Sequence, residues 1–247
     1  MIATHHRPAI LASVTTPAEA VLAHSCGADI IDAKDPALGA LGALPVATVA
    51  AIRNALPPHV IVSATIGDLP FEPGRVCAAV TAMAASGCDI IKIGVFPGEH
   101  PPATFAALSR LALGRVKLAG LLLADMSPDF GSIRMMADAG FAGVMLDTAG
   151  KSGGALTSHL DVPELALFIA RAHAANLFAG LAGSLRLSHI ALLMPLRPDV
   201  MGFRGALCDR GDRTRPMVPQ RVREVRAAFD EGGARQAPGN QLRRAPG

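Results

Sequence analysis

The chain has 247 residues, of which 51% are apolar and 17% charged, with a net charge of +3. That length suits one α/β barrel of about 250 residues, and the apolar content excludes a disordered chain. With no tyrosine or tryptophan to stack on bases, no nucleic-acid partner is expected, and no run approaches the ~18 apolar residues of a membrane span. Cys26, Cys77, Cys88 and Cys208 form no C-x-x-C pair, so neither a zinc ribbon nor a disulfide framework is indicated. The N-terminus, MIATHHRPAILASVTT, lacks the pattern of a secretory leader, which with the cysteine usage points to a reducing cytoplasm. Excess arginine sits late in the chain, where it would solvate a terminal helix or meet small phosphates.

Short Val/Ile/Leu-rich runs recur, each followed by an Ala-rich stretch of helical length. They predict strands at 9–15, 28–34, 60–66, 88–95, 117–124, 143–148, 177–183 and 200–206. Near-continuous apolar strands alternating with helices imply a parallel sheet covered on its faces, and eight such units close into a single (β/α)8 TIM barrel of the α/β class. The segments SCGADIID, ASGCDIIK and DAGFAGVMLD each step from a helix end through glycine into a strand, which supports equivalent units. A doubly wound open sheet is the competing topology. The barrel is expected over 1–230, and the apolar-poor stretch 231–247 reads as a disordered tail.

Barrel active sites lie at the C-terminal ends of the strands. Asp32 and Lys34 end the second strand, Lys92 lies on the fourth, Asp125 ends the fifth, and Asp147 ends the sixth with Lys151 just beyond. Residues two apart share a strand face, so Asp32 and Lys34 point the same way. The chain has four lysines among its 23 basic residues, and three of the four fall at these strand ends. Arginine serves where charge suffices; lysine can lose its proton and act as a base or an imine-forming nucleophile. The alternative is that these lysines form only surface ion pairs. Lys117, at the opposite rim, is expected to be structural.

The stretch GKSGG lacks the spacing and helix context of a P-loop. Phosphate is better placed on the loops after strands seven and eight, where Gly183, Ser184, Arg204 and Gly205 are the candidates. The histidines show no metal-ligand spacing, and lysines interleaved with the carboxylates argue against a required metal.

The segments LASVTTPAEA, GADIIDAKDPALGALGALP, CDIIKIGVF, LLLADM, GVMLDTAGKSGGAL, AGLAGSL and MGFRGALC, together spanning about residues 9–229, resemble the (5-formylfuran-3-yl)methyl phosphate synthase family. The resemblance implies a barrel that joins two glyceraldehyde 3-phosphate molecules into a furan aldehyde phosphate, losing phosphate and water, without a redox cofactor. It implies Lys34 as the Schiff-base lysine, Lys92 as the proton-transfer lysine, and Asp32, Asp147 and Lys151 as supporting groups. It also implies a role in methanofuran-type cofactor biosynthesis, and with the Ala- and Arg-rich composition it points to one-carbon metabolism in a methylotroph. Competing readings are a class I aldolase-like or isomerase-like triose phosphate enzyme, and a non-catalytic phosphosugar-binding barrel. Triose phosphates are thus the expected partners; whether the chain forms a homo-oligomer stays open.

Overall fold

The computed structural model describes residues 7–96, 101–150 and 153–236. Eight parallel strands close in sequence order into a barrel: β1 (Ala9–Val14), β2 (Ile30–Ala33), β3 (Ile61–Thr65), β4 (Ile90–Gly94), β5 (Lys117–Leu123), β6 (Gly143–Asp147), β7 (Phe178–Leu181) and β8 (Val200–Phe203). The outer helices are α1 (Pro17–Ser25), α2 (Val46–Asn54), α3 (Pro73–Ala84), α4 (Pro101–Leu108), α5 (Ser132–Asp138), α6 (Val162–Ala174), α7 (Leu187–Leu193) and α8 (Pro219–Gln236). β1 pairs with β8 through Leu11 and Gly202, which closes the ring. The eight expected strands are all present and the open sheet is excluded. Among the described residues no helix is long and apolar enough to cross a membrane.

Strand parity divides the core in two. Leu11, Ile30, Leu121, Leu123, Met145 and Val200 pack inside the barrel, whereas Ile10, Ile31, Val62, Ile91, Val144 and Met201 belong to the layer between strands and helices. Because side chains alternate along a strand, the apolar runs satisfy both layers at once. The same parity sends Ser13, Asp32, Ser63 and Lys92 inward.

Three strand entrances share one device. Asp29, Asp89 and Asp199 stand just before β2, β4 and β8, and each carboxylate accepts a backbone N–H of the preceding strand: Ile10 at 2.8 Å, Val62 at 2.8 Å and Ala179 at 2.7 Å. Each carboxylate also meets a basic side chain, Arg7, Arg53 or His173. Before β6 the corresponding residue is Ala142. Gly27, Gly87 and Gly140 end the preceding helices with positive φ, the conformation that lets the chain reverse into the strand. These features lie at the N-terminal rim, where Lys117 opens β5 exposed.

The sequence placed the end of the barrel at 230, but α8 continues to Gln236. Just before that extra turn Asp230 makes ion pairs to Arg226 and Arg7, and within it Gly232 lets the helix approach Met194 closely. The rest of the expected tail, 237–247, lies outside the described residues.

Candidate active site

Neighbouring strand register builds the floor of the site. Ser13 of β1 and Ser63 of β3 are the register partners of Asp32 on β2. Their hydroxyls donate to the two carboxylate oxygens at 3.0 and 2.7 Å. Lys92 rises from β4 and its Nζ lies 2.8 Å from both oxygens of Asp32. Both groups are out of solvent, at 3% and 0% exposure. A carboxylate with two hydroxyl donors and one ammonium is well satisfied, as a buried ion must be.

Lys34 stands one residue beyond β2, its backbone N–H still bonded to the carbonyl of Val14. Its Nζ donates to Asp147 Oδ2 at the top of β6, 3.3 Å away. Thr148 N–H donates to the other oxygen of Asp147 at 2.8 Å. The loop after Lys34 is pinned by Asp35, which caps the turn Pro36–Leu38 through Ala37 N–H, and by Thr65, whose hydroxyl faces the carbonyls of Leu41 and Gly42. Lys34, Lys92, Asp32 and Asp147 line one cavity of about 370 Å³ at the C-terminal mouth. They are therefore not scattered surface ion pairs.

Burial opposes the charge on Asp32, but Lys92, Lys34 and the hydrogen bonds outweigh it and hold its carboxyl below the usual range. Burial also pushes the Lys92 amine below the usual lysine range; Asp32 opposes that shift and the charge of Lys34 adds to it. Below its folded pKa, Lys92 must be buried charged, a cost relieved as pH rises toward the unfolded value near ~10.4. Asp32 contributes stability above its unfolded value, near ~3.9, and that contribution is lost as pH falls through the folded pKa. The wild type should thus gain stability relative to Lys92→Met as pH rises from about 8 to about 10, measured by denaturant unfolding. A gap that is flat or shrinks over this range would contradict the depressed amine.

The loops after β7 and β8 form the opposite wall. Gly183 and Ser184 both adopt positive φ, and a Cβ at Gly183 would lie 2.9 Å from Thr148 Cγ2. Left-handed Ser184 stores backbone strain of the kind found at ligand sites. Among the described residues the amides of Gly183, Ser184 and Gly205 donate to no protein acceptor, so they remain available to an anion.

Arg204 is different from what its sequence position suggested. Its Nε donates to the carbonyl of Arg213, Nη1 to Ser13 O and Glu19 Oε2, and Nη2 to Glu19 Oε1 and Arg215 O. Five donors are all that a guanidinium has, so Arg204 is a strut between α1 and the β8–α8 loop and offers nothing to a phosphate. Arg204→Ala should cost roughly 2–4 kcal/mol of stability in guanidinium denaturation. Weakened ligand binding with stability untouched would return Arg204 to the phosphate site.

Asp125 is also a scaffold group: it accepts the N–H of Ala149 at 2.9 Å and of Gly150 at 2.6 Å, fixing the chain after β6. Lys151 lies outside the described residues. Sequence reasoning missed Ser13, Ser63 and Glu19. The two serines interrupt otherwise apolar inner strands, a signal that was present, whereas Glu19 lies in the first turn of α1, where an acidic residue is ordinary.

A family profile described as 4-HFC-P synthase matches residues 10–226. The chain belongs to the 4-HFC-P synthase family. A Methylorubrum extorquens protein, provisionally named (5-formylfuran-3-yl)methyl phosphate synthase, is 45% identical over 92% of this chain and 93% of its own length. A Methanocaldococcus jannaschii protein bearing that name without qualification is 34% identical, covering 86% of this chain and 95% of its own. Among solved structures, phosphoribosyl anthranilate isomerase from Thermus thermophilus superposes with a TM-score of 0.64 at 18% identity, covering 90% of this chain and 98% of that one; this likeness concerns the fold alone. The 4-HFC-P synthase match spans all eight strands and thus every lysine and carboxylate of the mouth.

Proposed function

We propose that the protein condenses two molecules of glyceraldehyde 3-phosphate into (5-formylfuran-3-yl)methyl phosphate, with loss of phosphate and water, through an imine on Lys34. The observation that carries this reading is the stacking of two unlike amines in one cavity: Lys34 at the mouth beside Asp147, and Lys92 beneath it, buried on Asp32. An imine makes the triose carbonyl electron-poor and its α-proton removable. Lys34 would hold the first triose as imine and then as enamine, whose carbon attacks the aldehyde of the second.

Lys92, with its depressed pKa, is suited to accept and return protons during tautomerisation, phosphate elimination and ring dehydration. Asp32, kept ionised by its donors, fixes Lys92; Asp147 orients Lys34 and can relay protons. Lys151 is assigned a supporting role on the family resemblance. The amides of Gly183, Ser184 and Gly205 would hold a substrate phosphate, with Arg204 bracing the loop that carries Gly205. The product would serve a methanofuran-type cofactor in the cytoplasm of a one-carbon-metabolising cell.

Incubating the purified protein with glyceraldehyde 3-phosphate should produce a new furan absorbance and one inorganic phosphate per furan. A hexose phosphate product without furan would favour a class I aldolase, and ligand binding without turnover a sensor barrel.

A further inference from the structure

Resting on that reading, two phosphates must enter one mouth, and the amide wall at Gly183 and Ser184 lies on the β6–β7 side, against Thr148. With Arg204 saturated, the cations left at the cavity are decisive. Two other arginines line it, Arg186 after β7 and Arg213 after β8. The Arg186 guanidinium makes no hydrogen bond or ion pair with any described residue. Its Nη1 lies 3.2 Å from where a Cβ on Gly211 would stand, so the side chain reaches across from its own loop onto the β8–α8 loop.

Arg213 reaches further round the mouth. Its Nη2 donates to the carbonyl of Pro36, two residues past Lys34, leaving its other N–H groups unpaired among the described residues. Its backbone is held by the strut, since its carbonyl accepts Arg204 Nε at 2.9 Å. Asp212 lines the same mouth, but its Oδ1 accepts the Thr214 amide and hydroxyl, and Arg215 stands 3.7 Å from Oδ2. The nearby acid is therefore already committed.

We infer that Arg213, which reaches the loop after β2, and Arg186, which reaches onto the same β8–α8 loop at Gly211, form a second phosphate subsite distinct from the amides of Gly183 and Ser184. Lys34 then shares one cavity with two anion sites, one for each triose phosphate. Guanidinium suits this role because it pairs phosphate in a fork, whereas a backbone amide wall supplies single donors. One phosphate is retained in the product and one expelled, so the two sites need not bind alike.

The test uses two unreactive probes at fixed ionic strength, glycerol 3-phosphate and a hexitol 1,6-bisphosphate, titrated calorimetrically into the full chain. The wild type should bind the bisphosphate at least about 10-fold more tightly, the scale of one charge-assisted contact. Arg213→Gln and Arg186→Gln should each remove most of that advantage and leave glycerol 3-phosphate affinity within about 2-fold. Gly183→Ala, which crowds Thr148, should instead weaken the monophosphate. Arg186→Gln removes no side-chain hydrogen bond or ion pair to a described residue, so it reads the subsite even if Arg213→Gln loosens its loop. A wild type with no bisphosphate advantage, or an advantage that survives both glutamine changes, overturns the subsite. Failure to make furan while the arginine-dependent advantage persists would overturn the proposed reaction and leave the subsite standing.

Discussion

Lys34→Arg is expected to lower kcat by roughly 10⁴-fold or more, the scale seen when a covalent group is removed. Arginine keeps the charge facing Asp147 but cannot form an imine, so a purely electrostatic role would survive the change in part. Borohydride reduction in the presence of substrate should add a triose-sized mass to the wild type and to Lys92→Arg, and none to Lys34→Arg. The cavity favours this assignment over the reverse, because the Lys34 amine stands at the mouth while Lys92 is enclosed by Asp32 and the inner strands. Peptide mapping of the adduct to Lys92 would exchange the two roles. Furan formation with no adduct on any lysine would remove the imine altogether and leave acid–base catalysis by the same groups.

Asp32→Ala should be the most destabilising single change at the site. It strands the buried Lys92 ammonium and leaves the hydroxyls of Ser13 and Ser63 without their acceptor. Breaking one side of a buried ion pair costs about 3–5 kcal/mol, which in a barrel of this size lowers Tm by roughly 10 °C. The compensated double change Asp32→Leu with Lys92→Met removes both charges and should recover most of that loss while remaining inactive. Such a split between stability and turnover would show that the pair is kept for chemistry. A double variant as unstable as the single one would mean that the ions themselves hold the barrel floor together.

Strand content and parity were legible because they are local. The run AILASVT is apolar enough for two layers, and the alternation of IIDAK puts Asp32 and Lys34 on one face before any partner is known. The predicted ends overran because small residues continue past the ladder: FRGA reads as strand, yet the chain leaves β8 after Phe203 and turns at Gly205–Leu207. What sequence could not reveal is partnership across the barrel. Nothing near Arg204 announces Glu19, so a loop arginine after β8 looks like a phosphate ligand until its five acceptors are found. Asp32 was legible as a site carboxylate, but its serine donors required the register that sets β1, β2 and β3 side by side. Likewise, nothing in the sequence sets Arg186 and Arg213 apart from Arg204, whose five donors are engaged only through contacts across the fold.

The strut from Glu19 to Arg204 joins residues 185 positions apart. During synthesis at about 5–20 residues per second, Lys34, Lys92 and Asp147 emerge well before that bond can form. Until β8 arrives, β1 and β7 present unpaired edges, and the Arg213 segment has no brace. Every earlier strand can associate with its neighbour, yet the loop-closure entropy of the full ring is met only at the end. The mouth is consequently the last part of the molecule to be completed, and a chain halted before Arg204 would carry Lys34 and Lys92 on an open, edge-exposed sheet with the β8–α8 loop still unsupported.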